Sequence, residues 1–344
     1  MTPRRLLQAL AGLAISGVAL WLTLRGKDLH GVWEATRTAD YGVLVPYVGF
    51  LLLIHVLRTA RWALLLEPLG PVPLARVNAA SAVGFMALVV LPFRLGELAR
   101  PVLVADGRLR VSSALSTVFV ERIVDGLFTG VLLVFALLAL PDGTPGVAFF
   151  RVAGLAVSAA FAALLGLLVL AARSRALALR IVNAVMGTAA PRLAARAASV
   201  LDAFMFGLKQ VPSRPKLVAV FLLTAAYWGV NGWGMKVLAT GFGIDLSVHA
   251  AFTVLGVLVV GVMIPAGPGM VGTFQGAVVA GLSLFLPADT VATGGTAYAN
   301  VLWAAQMGVQ IALGATFLFS RHIQRGRLAA PPSAVEEALR SQPE

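Results

Sequence analysis

The stretch VVLPFRLGELARP, Val89 to Pro101, places Arg94, Glu97 and Arg100 directly behind a proline in a chain that is otherwise overwhelmingly apolar. What three charges mean there depends on the solvent in which the chain folds. Of its 344 residues 59% are hydrophobic and only 12% are charged, and the mean hydropathy is +0.90. A soluble interior is too small to cover that much apolar surface, whereas lipid can cover it. Windows such as VLLVFALLAL (131–140) and LGLLVLAA (165–172) are apolar on every side rather than along one stripe. The sequence is therefore that of an all-α polytopic membrane protein. Its 35 glycines and 18 prolines fit, since membrane helices tolerate both better than soluble ones. The absence of cysteine excludes disulfides and thiolate metal sites.

About twenty residues cross a bilayer at 1.5 Å per residue. Full-length candidates are 7–24, 42–66, 113–140, 148–172, 217–240 and 296–320. The first is read as a retained helix, because it lacks a small-residue cleavage site and Arg25 follows it directly. Two further apolar regions are interrupted: 77–105 at Leu91–Pro92, and 248–286 at Pro265–Ala266–Gly267–Pro268–Gly269. The net charge of +12 is topogenic, since basic loops stay cytoplasmic, and nothing beside those residues would read nucleic acid. Arg4 and Arg5 put the N-terminus inside, Arg76, Arg108 and Arg110 put both ends of 77–105 inside, and PDGTPG (141–146) lies outside. The segment 173–216, with eight basic residues and one acid, Asp202, is a cytoplasmic linker carrying one or two amphipathic interfacial helices. The region 248–286 starts and ends outside, near Asp245 and Asp289.

The expectation is about six full crossings plus two oppositely oriented re-entrant helical hairpins. One break falls in each half, as inverted repeats around a midplane site would have it. The alternative makes both hairpins kinked helix pairs, giving eight to ten crossings. The domain layout is one transmembrane unit over 1–325, with an N-half 1–172, the linker 173–216 and a C-half 217–325. A short disordered cytoplasmic tail, 326–344, completes it.

Pro92 disfavours helical geometry at Leu91 and suits the first position of a new helix. Arg94 and Glu97 then occupy the first turn of a half-helix at the hairpin tip, with Arg100 three residues further on. Matching charges occur elsewhere. In STVFVERIVDGL, Ser116 to Leu127, Glu121 and Asp125 share a helical face while Arg122 points away. In IHVLRTARW, Ile54 to Trp62, Arg58 and Arg61 lie three apart with His55 on the same stripe. An unpaired charge at the bilayer centre costs about 2.5–3.5 kcal/mol on insertion scales. Two basic and two acidic patches at one depth should therefore meet, forming a polar cavity open to the cytoplasm. Arg61 and Arg100 are the two that could instead snorkel to the interface. Paired charges can be purely architectural. The functional reading rests on arginine forks suiting phosphate oxygens and on half-helix N-termini favouring anions, with Arg94 as the leading contact.

The second break, PAGPGMVGTFQG (Pro265 to Gly276), is uncharged and lacks the GKS or GKT of a nucleotide loop. Its small residues allow close backbone approach, and Thr273 and Gln275 are its only hydroxylated or long polar groups. The helix 217–240 adds Tyr227, Trp228, Asn231 and Trp233, whose aromatics read more readily as interfacial anchors and packing than as a substrate cage.

In order and spacing, LPFRLGELARP, ERIVDGL and IPAGPGMVGTFQG resemble the flippase-like membrane family that includes the transmembrane region of lysylphosphatidylglycerol synthase, over roughly residues 7–320. The resemblance implies movement of a lipid between leaflets of a bacterial-type cytoplasmic membrane, with both termini cytoplasmic. Carried over residue by residue, its motifs fall on Pro92, Arg94, Gly96, Glu97 and Arg100, then on Glu121, Arg122 and Asp125. The third falls on Pro265, Pro268, Gly269 and Gly272. That third motif usually ends in an acid, where this chain has Gln275, so a role needing a carboxylate there is in doubt. Only a short tail follows residue 320, so synthesis of a lysyl-lipid by this chain is not expected.

Lipid translocation, flippase- or scramblase-like, of an anionic or phosphate-bearing lipid is the leading expectation. The substrate-binding candidates are Arg94, Glu97, Arg100, Arg58, Arg61, Glu121, Arg122 and Asp125. No catalytic residue, metal or cofactor is assigned. One alternative is a membrane transferase using a polyprenyl-phosphate-linked donor with Glu97, Glu121 or Asp125 as base, and another is a non-catalytic scaffold. A lipid-synthesising or transport partner is compatible with the first reading. No ATP-binding motif is present, so pumping would need an ion gradient or a partner.

Overall fold

The computed structural model describes residues 3–91, 96–105, 109–144, 146–186, 214–264 and 266–320. Every described regular element is helical. In chain order they are α1 (Pro3–Leu24), α2 (Leu29–Thr38), α3 (Leu44–Leu66), α4 (Leu74–Val90), α5 (Ala99–Val104), α6 (Val111–Leu138), α7 (Val147–Arg173), α8 (Arg175–Met186), α9 (Arg214–Thr240), α10 (Val248–Gly261), α11 (Thr273–Leu282) and α12 (Thr296–Leu318). A helix lies at each of the six expected full-length spans. Among the described residues four segments are long and apolar enough to cross a membrane: Tyr41–Leu69, Val147–Leu167, Pro215–Thr240 and Ala288–Leu318. Of the other two, α6 has 28 residues but carries Glu121, Arg122 and Asp125, and α1 has 22.

Polarity is inverted relative to a soluble protein. Phe149 and Phe135 are 71% and 70% exposed, while Arg61 and Glu121 are each 1% exposed. That arrangement is favourable only where the surrounding solvent is apolar. Three apolar clusters hold the helices among the described residues, the smallest joining Leu133 and Leu137 of α6 to Val147 of α7 and Val257 of α10. Two are larger. One joins Trp62 and Leu66 of α3 to Val77 and Val83 of α4 and to Leu103 of α5. The other gathers Tyr47 of α3, Met235 and Leu238 of α9, Leu258 of α10, Phe274 of α11 and Tyr298 of α12. α9 packs along α3, α12 along α4, and α6 against α7 and α10.

Both interruptions fall where proline and glycine place them. α4 ends at Val90, with Leu91 extended at φ −88° and ψ 138°. The returning chain crosses α4 so closely that a Cβ at Gly96 would fall onto the backbone of Ala87 and Leu88. α4 spans roughly 26 Å and α10 roughly 21 Å at 1.5 Å per residue, both short of a ~30 Å hydrocarbon core. At the second break Gly269 and Gly272 adopt φ of +68° and +81°, a left-handed region that glycine enters at least cost. Gly272 also sits against Ser16 and Leu20, where a side chain would meet the α1 backbone.

Two elements were not expected: the short helix α2, and a π-helical turn over Val291–Gly295 immediately before α12. The first lies in a polar connection too short to read as a span, and the second leaves no mark on hydropathy. Within the linker only α8 and its junctions are described, and its remainder (187–213) and the tail beyond 320 lie outside the described residues.

Candidate functional site: a buried arginine–carboxylate network

Arg61 is the hub. Its Nη1 donates to Asp125 Oδ1 at 2.5 Å and to Thr224 Oγ1 at 3.1 Å, and its Nη2 to Glu121 Oε1 at 2.9 Å and Asp125 Oδ2 at 3.0 Å. The two parallel bonds to Asp125 are the fork geometry in which guanidinium and carboxylate pair most strongly. Thr224 can accept because its own hydroxyl donates to the Val220 carbonyl at 2.8 Å. The spacing of Glu121 and Asp125 aims both carboxylates at one partner, since residues four apart share a helical face.

A second arginine closes the far side. Arg100 Nη1 donates to Glu121 Oε2 at 2.6 Å, and its guanidinium stacks on Trp62 at 4.2 Å. Trp62 is held for this by its indole N–H, which donates to Thr117 Oγ1 at 2.9 Å. Gly84 makes the room, because a Cβ there would collide with the Arg100 side chain. On the remaining side Arg122 lies 3.3 Å from Asp125 Oδ2, and the Trp228 indole donates to Asp125 Oδ1 at 3.3 Å.

These contacts revise three expectations. Arg61 and Arg100 do not snorkel: they are 1% and 2% exposed, because carboxylates are available inside the bundle and the interface is not needed. Arg122 does not point away from the acidic face, since its long side chain folds back to Asp125 three residues on. Arg58, three residues before the hub, has no carboxylate within salt-bridge distance among the described residues. Its guanidinium lies over the Phe85 ring at 3.6 Å and 5.5 Å from that of Tyr227. His55 turns to Asn78, with Nε2 and Oδ1 2.8 Å apart.

Arg58, Glu97, Arg122 and Asp125 line a cavity of about 360 Å³. Apolar residues, among them Leu255, Leu258, Met270 and Phe274, line it as well. A smaller cavity of about 100 Å³ shares Arg58, Tyr227, Asn231, Gln306 and Gln310 with the larger one. Asn231, Gln306 and Gln310 were not singled out as site residues. The two glutamines, four apart in an otherwise apolar span, were the available signal. Thr224 and Trp62 carried none. Arg94 and Pro92, expected at the tip of the first break, lie outside the described residues, as does Pro265.

The second-break residues form a docking joint. Ser16 Oγ accepts from the Gly267 N–H at 2.9 Å, and the Trp303 indole donates to the Gly269 carbonyl at 2.7 Å. Pro268 opens the short turn that contains Gly269. Gln275 is buried, and its Oε1 accepts from the Gly272 N–H at 2.8 Å. A side-chain oxygen at that place caps the start of α11, and a carboxamide supplies it without burying a charge.

The fold and this network define a polytopic membrane protein with a charged, partly apolar cavity inside the bundle. The family model described as lysylphosphatidylglycerol synthase TM region matches residues 9–314. The chain belongs to that family. Comparison with curated proteins finds no match.

Proposed function

We propose that this protein moves an anionic, phosphate-bearing lipid between membrane leaflets, with the phosphate engaged by Arg58 and Arg122 in the larger cavity and the acyl chains against its apolar wall. The carrying observation is the asymmetry between two neighbouring arginines. Arg61 is paired with two carboxylates, whereas Arg58 faces the cavity with no carboxylate within salt-bridge distance among the described residues and its guanidinium over Phe85. A buried cation without a carboxylate is costly to keep, and an anionic ligand would offset that cost. The family's name, taken from a lipid-modifying synthase's transmembrane region, agrees with a lipid substrate.

In this reading α4–α5 and α10–α11 are re-entrant hairpins entering from opposite faces, and the cavity lies between them. Basic residues place both termini on the cytoplasmic side of a bacterial-type cytoplasmic membrane. A transferase using Glu121 or Asp125 as base is disfavoured, because both carboxylates are engaged by arginines and a base needs an uncommitted lone pair. The test is leaflet exchange of a labelled phospholipid in liposomes containing the purified protein. Arg58→Met should abolish exchange while leaving a monodisperse, folded protein. Exchange at the wild-type rate by that variant would overturn the assignment.

A further inference from the structure

The two cavities share Arg58 and the carboxamides of Asn231, Gln306 and Gln310 and differ in the rest of their lining. The larger adds the charges of Glu97, Arg122 and Asp125 and a set of aliphatic and aromatic side chains. Among the described residues the only hydrogen bonds of these amides run from Gln306 Nε2 to the Tyr47 hydroxyl at 3.0 Å and from Gln310 Nε2 to the Gln306 backbone carbonyl at 3.3 Å. The side-chain oxygens of both glutamines and the whole Asn231 amide are therefore left for a ligand or water. Carboxamides both donate and accept, which matches hydroxyl groups. A cavity of about 100 Å³ exceeds several-fold the roughly 10–15 Å³ that one water requires.

An ammonium would find little here. Glu121 and Asp125 are committed to Arg61, Arg100 and Arg122, and Glu97 is also engaged. The two aromatic rings of the smaller cavity, Phe85 and Tyr227, already carry guanidinium groups. Arg58 covers Phe85 at 3.6 Å, Arg100 lies 4.8 Å from the same ring, and Arg58 and Arg61 each lie 5.5 Å from Tyr227. Four guanidinium groups (Arg58, Arg61, Arg100, Arg122) face three carboxylates (Glu97, Glu121, Asp125), leaving one positive charge in the described network. Like charge brought beside it is repelled, which is how a site rejects a ligand as well as selects one.

Building on the proposed lipid-binding role, we infer that the site takes a lipid whose head group bears one phosphate charge and, beyond it, neutral hydroxyls, as a glycerol or sugar does. It excludes head groups that carry an ammonium. The phosphate sits at Arg58, the hydroxyls reach Asn231 and Gln310 in the smaller cavity, and the chains lie along Leu255 and Leu258 in the larger one.

The experiment compares short-chain phosphatidylglycerol, phosphatidylmethanol, phosphatidylethanolamine and lysyl-phosphatidylglycerol for binding to the detergent-purified full chain. Binding is read by tryptophan fluorescence, and leaflet exchange of the same head groups is measured in liposomes. Phosphatidylmethanol has the charge of phosphatidylglycerol without its hydroxyls. Phosphatidylglycerol should bind at least about tenfold more tightly than either ammonium lipid, equivalent to about 1.4 kcal/mol, and measurably more tightly than phosphatidylmethanol. Gln310→Leu and, separately, Asn231→Leu should bring phosphatidylglycerol down to the phosphatidylmethanol level without changing the latter. Arg58→Met should weaken both. Equal binding of ammonium and glycerol head groups, equal binding of the glycerol and methanol lipids, or no binding at all overturns the inference. Selective binding without leaflet exchange would leave it standing and overturn the translocation reading. Exchange of every head group at one rate would do the reverse.

Discussion

Arg58 and Arg61 are the same residue type, one turn apart on one helix, and replacing each with methionine should have very unequal consequences for stability. Arg61→Met removes three charge-assisted hydrogen bonds to Asp125 and Glu121 and one bond to Thr224. Each bond to a charged group is worth ~1.5–3 kcal/mol net, but such terms do not add within one network. Neither carboxylate is left wholly alone. Glu121 retains Arg100 at 2.6 Å, and Asp125 retains Arg122 and the Trp228 indole, each at 3.3 Å. The expected loss is therefore that of breaking a buried pair, about 3–5 kcal/mol, or roughly a hundred- to several-thousandfold in the folding equilibrium. Arg58→Met strands no carboxylate among the described residues. It gives up the stacking on Phe85, worth up to about 2 kcal/mol, and relieves the desolvation of a guanidinium. It should therefore stay within about 1 kcal/mol of the parent chain. The assay is denaturant unfolding in mixed micelles followed by fluorescence. Of the six tryptophans, Trp62 and Trp228 touch the network directly. If Arg58→Met proved as destabilising as Arg61→Met, Arg58 would be a structural counter-ion and its assignment as the ligand contact would fall.

Gly272→Ala should destabilise the protein by more than about 1 kcal/mol in the same unfolding assay, because it combines a positive φ with a side chain driven into the α1 backbone. A neutral result would show that α1 and the second break are not in contact. Gln275→Leu should cost about 1 kcal/mol through loss of the α11 cap, and Gln275→Glu should keep the cap but add the cost of a buried charge, so both should unfold earlier than the parent. Unchanged stability in Gln275→Leu would remove the capping role. Since the chain has no cysteine, single cysteines report topology cleanly. One at Gly143 should react with an impermeant thiol reagent in intact cells and one at Ser174 should not, and the opposite pattern would invert the orientation.

Placement of the helices was legible because a bilayer accepts few solutions. A span needs about twenty apolar residues, and backbone unpaired in lipid is too costly to tolerate. The breaks at Leu91 and at Pro268–Gly269 were legible for the same reason, since proline and glycine mark where the helix can stop. That a charge network would form followed from the price of isolated charge in hydrocarbon, and Glu121 and Asp125 were correctly placed on its shared face. Which arginine would serve the carboxylates was not legible. Arg58 and Arg61 differ by about 60° around α3, and nothing along the chain says how α3 is rotated against α6 and α9. Packing of Trp62 with the α4–α5 core and of Tyr47 with α9 decides that rotation. It turns Arg61 into the carboxylates and leaves Arg58 facing the cavity. Nor could the sequence join Asn231 to Gln306 and Gln310, which are neighbours only because α9 and α12 both pack against α3. Local composition determined where the chain is helical and that its charges must be sheltered. Only the tertiary contacts, acting between different helices, decided which charges were paired within the protein and which were not.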